Sequence, residues 1–187
     1  MSKTNAVIYR STIESPVGPL SLGTLLYNDQ KESVCFLEFD NPKLDNPNRI
    51  DQHLKRIKTH GCFSDLEQRQ APKKHSLHAL VLDQLGDYFD GNRQEFDIPL
   101  YPFGTDFQKK VWQSLCDIPF GETLSYGVQA EHINNPKAVR AVALANSQNP
   151  ISILIPCHRV IGKSGSLTGY AGGLHRKQVL LELEQLL

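Results

Sequence analysis

Cys157 stands in the run Ile155-Pro156-Cys157-His158-Arg159-Val160, a thiol followed directly by an imidazole. With an ordinary pKa of about 8.5, a cysteine is only a few per cent thiolate at pH 7, so a nucleophilic cysteine needs a partner that takes or offsets its proton. His158 can be that partner. Adjacent residues on an extended backbone point to opposite sides, which leaves direct contact and contact through a bridging water both open. A carboxylate would complete the set by orienting the imidazole. The helix expected from about His175 offers Glu182 and Glu184. Val179, Leu180, Leu181, Leu183, Leu186 and Leu187 define its apolar arc, and Glu184 falls inside that arc while Glu182 points away with Gln185. A carboxylate among leucines needs a partner, so Glu184 is selected. A cysteine after an apolar run is more often a small buried hydrophobe, and Cys35 and Cys116 keep that reading. His53, His60, Cys62, His75 and His78 match no zinc-ligand spacing, so no metal is assigned.

The elements that must position these groups fall into two halves. Strands are expected at Ala6 to Ser11, Leu20 to Tyr27 and Ser33 to Phe39, around a turn at Ser15-Pro16-Val17-Gly18-Pro19. A loop over 41–48 precedes a polar helix from about Asn48 to His60. A second helix, with Ser76 as N-cap, carries Leu77, Leu80, Val81, Leu85, Tyr88 and Phe89 at helical spacing and ends before Gly91. Tyr101-Pro102-Phe103-Gly104 marks the boundary, giving domains of 1–100 and 101–187.

In the second half, Thr105-Asp106-Phe107-Gln108 fits a capping box, and Pro119 and Gly121 end the helix that it opens. A short helix follows Ser125. Asn134-Asn135-Pro136 opens a third with Asn at the cap and Pro at the first position. On that helix Ala138, Val139, Val142, Ala143 and Ala145 face one way, and Lys137, Arg140, Ala141 and Leu144 the other. Two readings of the small outward face stand side by side: a helix buried on both sides, and a helix that approaches DNA closely. Ile151 to Ile155 reads as a buried strand ended by Pro156, with Cys157 at its tip.

Composition narrows the classes. A chain of 187 residues with 40% hydrophobic and 21% charged residues builds one good core or two small ones. Four cysteines without a C-x-x-C pair read as reduced thiols. No apolar run nears the roughly 18 residues of a spanning helix, and MSKTNAVIYR lacks a secretory apolar stretch, so no membrane is expected and the cytoplasm (the nucleus in a eukaryote) follows. The net charge of zero argues mildly against a protein that grips phosphate backbones nonspecifically, and the halves barely differ: 8 basic against 6 acidic in 101–187, leaving 12 against 14 in 1–100.

With Pro156-Cys157-His158-Arg159-Val160 in hand, the chain resembles the O6-alkylguanine-DNA alkyltransferases, whose active-site signature is PCHRV. Gly121 to Tyr126, Pro136 to Val142, Asn149-Pro150 and Thr168 to Gly173 fall at the family's spacing, so the resemblance is dense across 101–187. Ser15 to Leu20 and Tyr88 to Gly91 extend it, more thinly, into the first half. It implies an α+β fold: an N-terminal mixed α/β domain of ribonuclease H type, then a C-terminal domain of winged-helix, helix-turn-helix type. It implies irreversible transfer of an alkyl group from guanine O6, or thymine O4, in double-stranded DNA to Cys157, one lesion per molecule, by a monomer without cofactor. Glu184, His158 and a water would supply the thiolate, Tyr126 a proton to the departing base, and Asn149 a brace near the histidine. Arg140 would fill the stack vacated by the flipped nucleotide from the minor groove, with further DNA contacts from Lys137, Ala138, Ala141, Arg159, Tyr126 and Tyr170.

Two positions depart from some relatives: Ala171 replaces a serine, and Ser152 replaces a proline that lines the pocket. With alanine at 171, any help to the guanine oxygen there comes from a backbone N–H rather than a hydroxyl, and the changed lining implies a roomier site that accepts adducts larger than methyl. Three rivals predict different behaviour: a lesion-binding protein without chemistry, a Cys-His hydrolase with an oxyanion hole and turnover, and a dimeric operator-binding regulator.

Overall fold

The structure, a computed structural model, describes residues 5–27, 31–40, 49–61, 63, 65–72 and 75–185. The loop expected over 41–48, and Cys62, lie outside them. The chain divides into two compact units, Met1–Phe103 and Gly104–Leu187.

In the first unit, β1 (Asn5–Ile13), β2 (Leu20–Tyr27) and β3 (Lys31–Phe39) form an antiparallel meander, with β3 burying the apolar run Val34-Cys35-Phe36-Leu37 on both faces. After α1 (Arg49–His60), β4 (Asp65–Gln70) joins parallel to β1, giving the sheet order β3-β2-β1-β4. The sequence gives no warning of β4, because Asp-Leu-Glu-Gln-Arg-Gln lies at the sheet edge with almost every side chain in solvent and so lacks an apolar face to read. Leu54 and Ile57 of α1 close a core with Ala6, Ile8, Leu25, Cys35, Phe36 and Phe103. Gly23, beside a register irregularity between Gly23 and Thr24, makes room for Phe36, whose ring occupies the space that a Cβ at residue 23 would need. α2 (Ser76–Phe89) packs on β2 and buries Leu77, Val81, Leu85 and Tyr88. Its N-cap is His75 rather than the expected Ser76, and it has no side-chain cap hydrogen bond.

The second unit opens on α3 (Asp106–Cys116) with the expected capping box: Thr105 Oγ1 accepts from the Gln108 amide and Gln108 Oε1 from the Thr105 amide. A two-residue strand, β5 (Leu124–Ser125), runs into α4 (Tyr126–His132), whose N-cap Ser125 accepts from the Val128 amide. A 3-10 turn at Pro136–Ala138 leads into α5 (Val139–Ser147). Trp112 Nε1 donates to the Ala145 carbonyl at 2.8 Å, and Asn146 Nδ2 donates to Gln129 Oε1 at 2.6 Å. Gln129 Nε2 donates in turn to the Val111 carbonyl and Ser114 Oγ, so α3, α4 and α5 are locked by a buried amide network as well as by packing. β6 (Val160–Ile161) pairs parallel with β5, and α6 (Leu174–Leu183) completes the unit. Among the described residues no helix is long and apolar enough to cross a membrane.

The run 151–155 corrects the expectation of a strand. It folds instead as consecutive tight turns: the Leu154 amide donates to the Ser152 carbonyl and the Ile155 amide to the Ile151 carbonyl, and Ile153 takes φ +70°. Apolar character reported burial here, not extension. All five residues are buried, and a left-handed β-branched residue is a strained conformation that its surroundings must enforce.

Candidate active site

The turn that presents Cys157 is held by Asn149. Its Oδ1 accepts from the Ile151 amide at 3.0 Å, and its Nδ2 donates to the Ile155 carbonyl at 2.8 Å and to Cys157 Sγ at 3.2 Å. A donor aimed at sulfur favours its thiolate form. Asn149 was expected near the histidine; it touches the cysteine itself. Cys157 is not at a strand tip but begins a 3-10 turn, Cys157–Arg159, so the alternating side-chain directions of an extended chain do not apply.

His158 is fully buried, and its Nε2 donates to Glu184 Oε1 at 2.9 Å, which leaves Nδ1, without a partner among the described residues, as the basic nitrogen. Burial holds the imidazole below its ordinary pKa against the pull of Glu184, so the ring is neutral at pH 7 and able to accept a proton. Glu184 is the C-cap of α6 and 2% exposed, the position that the apolar arc marked. Burial alone would raise its pKa; hydrogen bonds from His158 and Arg159 outweigh it and hold the carboxyl at about 2.

Arg159 corrects its expected place at the DNA surface. It is 6% exposed, its Nε and Nη2 donate to the two oxygens of Glu184, and its Nη1 donates to the Ile118 carbonyl. A guanidinium used in this way has no face left for a phosphate. It fixes Glu184, which fixes His158.

Tyr126 follows β5 directly, and the register of β5 on β6, Leu124 with Val160 and Ser125 with Ile161, brings it alongside the segment that carries Cys157. Its hydroxyl donates to the carbonyls of Thr168 and Gly169 at 3.2 and 3.3 Å. Burial raises its pKa, the Thr168 hydrogen bond opposes that, and Cys157 adds to it, so the phenol is held in its protonated form. Gly169, at φ +58°, leaves no space for a side chain: a Cβ there would lie 2.9 Å from the Tyr126 oxygen. Tyr170 and Ala171 are half-buried in the same loop.

Lys177 escaped the sequence reading. It is fully buried, and its ammonium donates to the carbonyls of Val160 and Thr168, the latter at 2.8 Å, tying β6 to the loop that receives Tyr126. Burial lowers its pKa to about 8, an effect that Cys157 partly offsets. The signal was available: Lys177, Leu180, Leu181 and Glu184 repeat at helical spacing on one face, so the arc that selected Glu184 contains a lysine as well.

The helices α4 and α5 make a helix-turn-helix whose second helix exposes Arg140, Ala141 and Leu144, the last at 60% exposure, while Val142 and Ala145 are buried and Lys137 is exposed in the 3-10 turn before it. The reading of a helix buried on both sides is therefore set aside. Val139, expected inward, is exposed, and Ala138 is half-buried, because the chain enters α5 through a 3-10 turn that shifts the first residues out of the helical register. Cys157, His158, Glu184, Asn149 and Tyr126 come together; Arg140 and Ala141 of α5, with Lys137 of the turn before it, form a separate surface.

Comparison with known proteins adds the following. Residues 106–186 match the family model described as 6-O-methylguanine DNA methyltransferase, DNA binding domain, and residues 8–102 the model described as 6-O-methylguanine DNA methyltransferase, ribonuclease-like domain. A methylated-DNA–protein-cysteine methyltransferase of Mycobacterium tuberculosis is 44% identical over 184 residues, covering 96% of this chain and 93% of the relative. The crystal structure of Mycobacterium tuberculosis O6-methylguanine methyltransferase superposes with a TM-score of 0.73 at 41% identity, covering 95% of this chain and 93% of that one. The Mycobacterium tuberculosis protein in complex with DNA gives 0.70 at 40% identity, covering 97% and 92%.

Proposed function

The chain belongs to the 6-O-methylguanine DNA methyltransferase family, a DNA-binding methylated-DNA–protein-cysteine methyltransferase that repairs DNA by alkyl transfer, and from that premise we propose that Cys157 is the alkyl acceptor. The observation that carries this is the coupling of the Cys157 turn to Asn149 beside a neutral His158 whose outer nitrogen is fixed by Glu184. The thiol proton passes to His158 Nδ1, by way of a water as the family resemblance implies. Sγ then attacks the alkyl carbon; the C–S bond forms as the carbon–O6 bond breaks, and Tyr126 gives its proton to the departing base so that guanine leaves neutral. Return of the His158 proton to Tyr126 closes the balance: the thiol hydrogen has been exchanged for the alkyl group and no cofactor enters. A thioether has no leaving group for water to remove, so each molecule acts once.

The reacting carbon is out of reach inside a duplex, so the nucleotide rotates out at a cost of a few kcal/mol. Arg140, which has no ion pair among the described residues, fills the vacated stack from the minor groove, and the small outward face of α5 at Ala141, with Lys137 and Ala138 of the turn that leads into it, lets the backbone approach. Tyr170 walls the pocket. Transfer belongs to the half 101–187, the protein acts as a monomer, and its compartment is the cytoplasm. Ser152 and Ala171 leave room for bulky adducts; comparable rates for methyl and benzyl adducts support that, and a strong methyl preference refutes it. Intact mass spectrometry after incubation with an O6-methylguanine duplex tests the whole reading. A gain of one methyl for one hydrogen, absent in Cys157→Ala, is expected; unchanged mass, or repeated turnover without an adduct, overturns it.

A further inference from the structure

In the first unit, on the sheet face covered by α2, Glu32 at the start of β3 meets His75 and His78 at the start of α2. One donor atom from each lies within 4.8 Å of the other two. His75 Nε2 is 3.0 Å from Glu32 Oε1; Thr24 Oγ1 donates to that same oxygen at 2.6 Å and lies 3.0 Å from His78 Nε2. The three donors therefore lie close enough to share one ion, with the Thr24 hydroxyl between Glu32 and His78, and the two imidazoles stand edge to face with ring centroids 4.6 Å apart. Of the histidines with no zinc spacing in the sequence, these two are brought together with a carboxylate only by the fold.

We propose that Glu32, His75 and His78 form a binding site for one divalent transition-metal ion, zinc in the first place, which fastens the start of α2 to the sheet. The donor set is two imidazoles and one carboxylate with no thiolate, and it leaves a fourth position for water. Donors on a tetrahedral zinc with bonds of about 2.1 Å stand about 3.4 Å apart, so modest side-chain rotation closes the site. The outer shell is already in place. Ser11 Oγ holds His78 Nδ1 at 2.7 Å, and on metal binding His78 presents Nε2 to the ion while Nδ1–H donates to Ser11, the arrangement that orients a metal-bound imidazole. Glu32 and His75 keep 19% and 11% of their side chains exposed, which gives an ion a way in, and Glu32 supplies the negative charge that offsets the positive end of α2. α2 has no side-chain cap, so its first turn gains an anchor that its sequence omits.

The test uses the full-length protein without a histidine tag, stripped with a chelator and titrated with Zn2+ and, separately, with Co2+. One equivalent binding at micromolar Kd or tighter, a raised Tm, and cobalt d–d bands without a thiolate charge-transfer band are expected. His75→Gln and Glu32→Gln should each weaken binding at least 100-fold, and Ser11→Ala about tenfold. All three should still accept an alkyl group, which also establishes that they fold. No saturable binding below millimolar metal, binding undiminished in His75→Gln and Glu32→Gln, or a cobalt spectrum with a thiolate band overturns the site and leaves a hydrogen-bonded polar cluster.

Discussion

Glu184 shows how far one residue's neighbours can set its chemistry. Its carboxylate is shared by His158 and Arg159, all three buried, so Glu184→Gln leaves a buried guanidinium uncompensated; a loss of about 3 kcal/mol at pH 7 is expected. The pH dependence has a definite sign. A carboxyl lowered from 4.5 to about 2 gives stability that is full above 4.5 and is lost as pH falls through 2. The Tm gap between wild type and Glu184→Gln should therefore close across that window. His158, whose folded pKa is also lowered, adds a decline that starts below its ordinary 6.5, where the unfolded chain takes a proton that the folded one refuses. Gly169 carries a second prediction. Ala there meets φ +58° and the Tyr126 hydroxyl together, a strain of about 1–2 kcal/mol placed on the proton donor. Single-turnover alkyl transfer should slow at least tenfold, with affinity for undamaged DNA unchanged.

At the scale of elements, the decisive piece is the turn at 149–157, which is neither helix nor strand. Asn149→Ala leaves the Ile151 amide without its buried partner and takes one of two donors from the Ile155 carbonyl, which keeps the Cys157 N–H, a loss of about 1–3 kcal/mol. Because the same amide reaches Sγ, urea melts and transfer rates should fall together, whereas a core truncation of equal energy elsewhere should spare the rate of the folded fraction. α5 carries the contrasting case. Ala141→Glu changes an exposed residue and should leave folding stability within about 0.5 kcal/mol of wild type. A carboxylate beside Arg140 should nevertheless weaken duplex binding at least tenfold, while transfer from a free alkylated base is retained. Loss of both activities would place Ala141 in the chemistry and refute its assignment to the DNA face.

For the molecule as a whole, a net charge of zero predicts shallow salt dependence. If groove fit and flipping carry the binding, few counterions are released, and the slope of log affinity against log salt should be smaller in magnitude than about 4. A steeper slope, measured by anisotropy at several salt concentrations, would mean that many phosphate contacts had been overlooked.

The sequence by itself determined a good deal: the three strands of the meander, the capping box at Thr105, and Glu184 as the carboxylate beside the reactive pair. Each of these is a local pattern, because burial and helical or extended periodicity leave their mark within a few residues. Tertiary structure alone decided the rest. The polar edge strand β4 exists because β1 offers it backbone partners, not because its side chains require it. The apolar run 151–155 turns rather than extends, since Asn149 satisfies its backbone from within. Arg159 looks like a DNA-facing cation until Glu184 and the Ile118 carbonyl engage its guanidinium. The meeting of Glu32 with His75 and His78 depends on contacts between segments far apart in the chain, which residue spacing cannot encode.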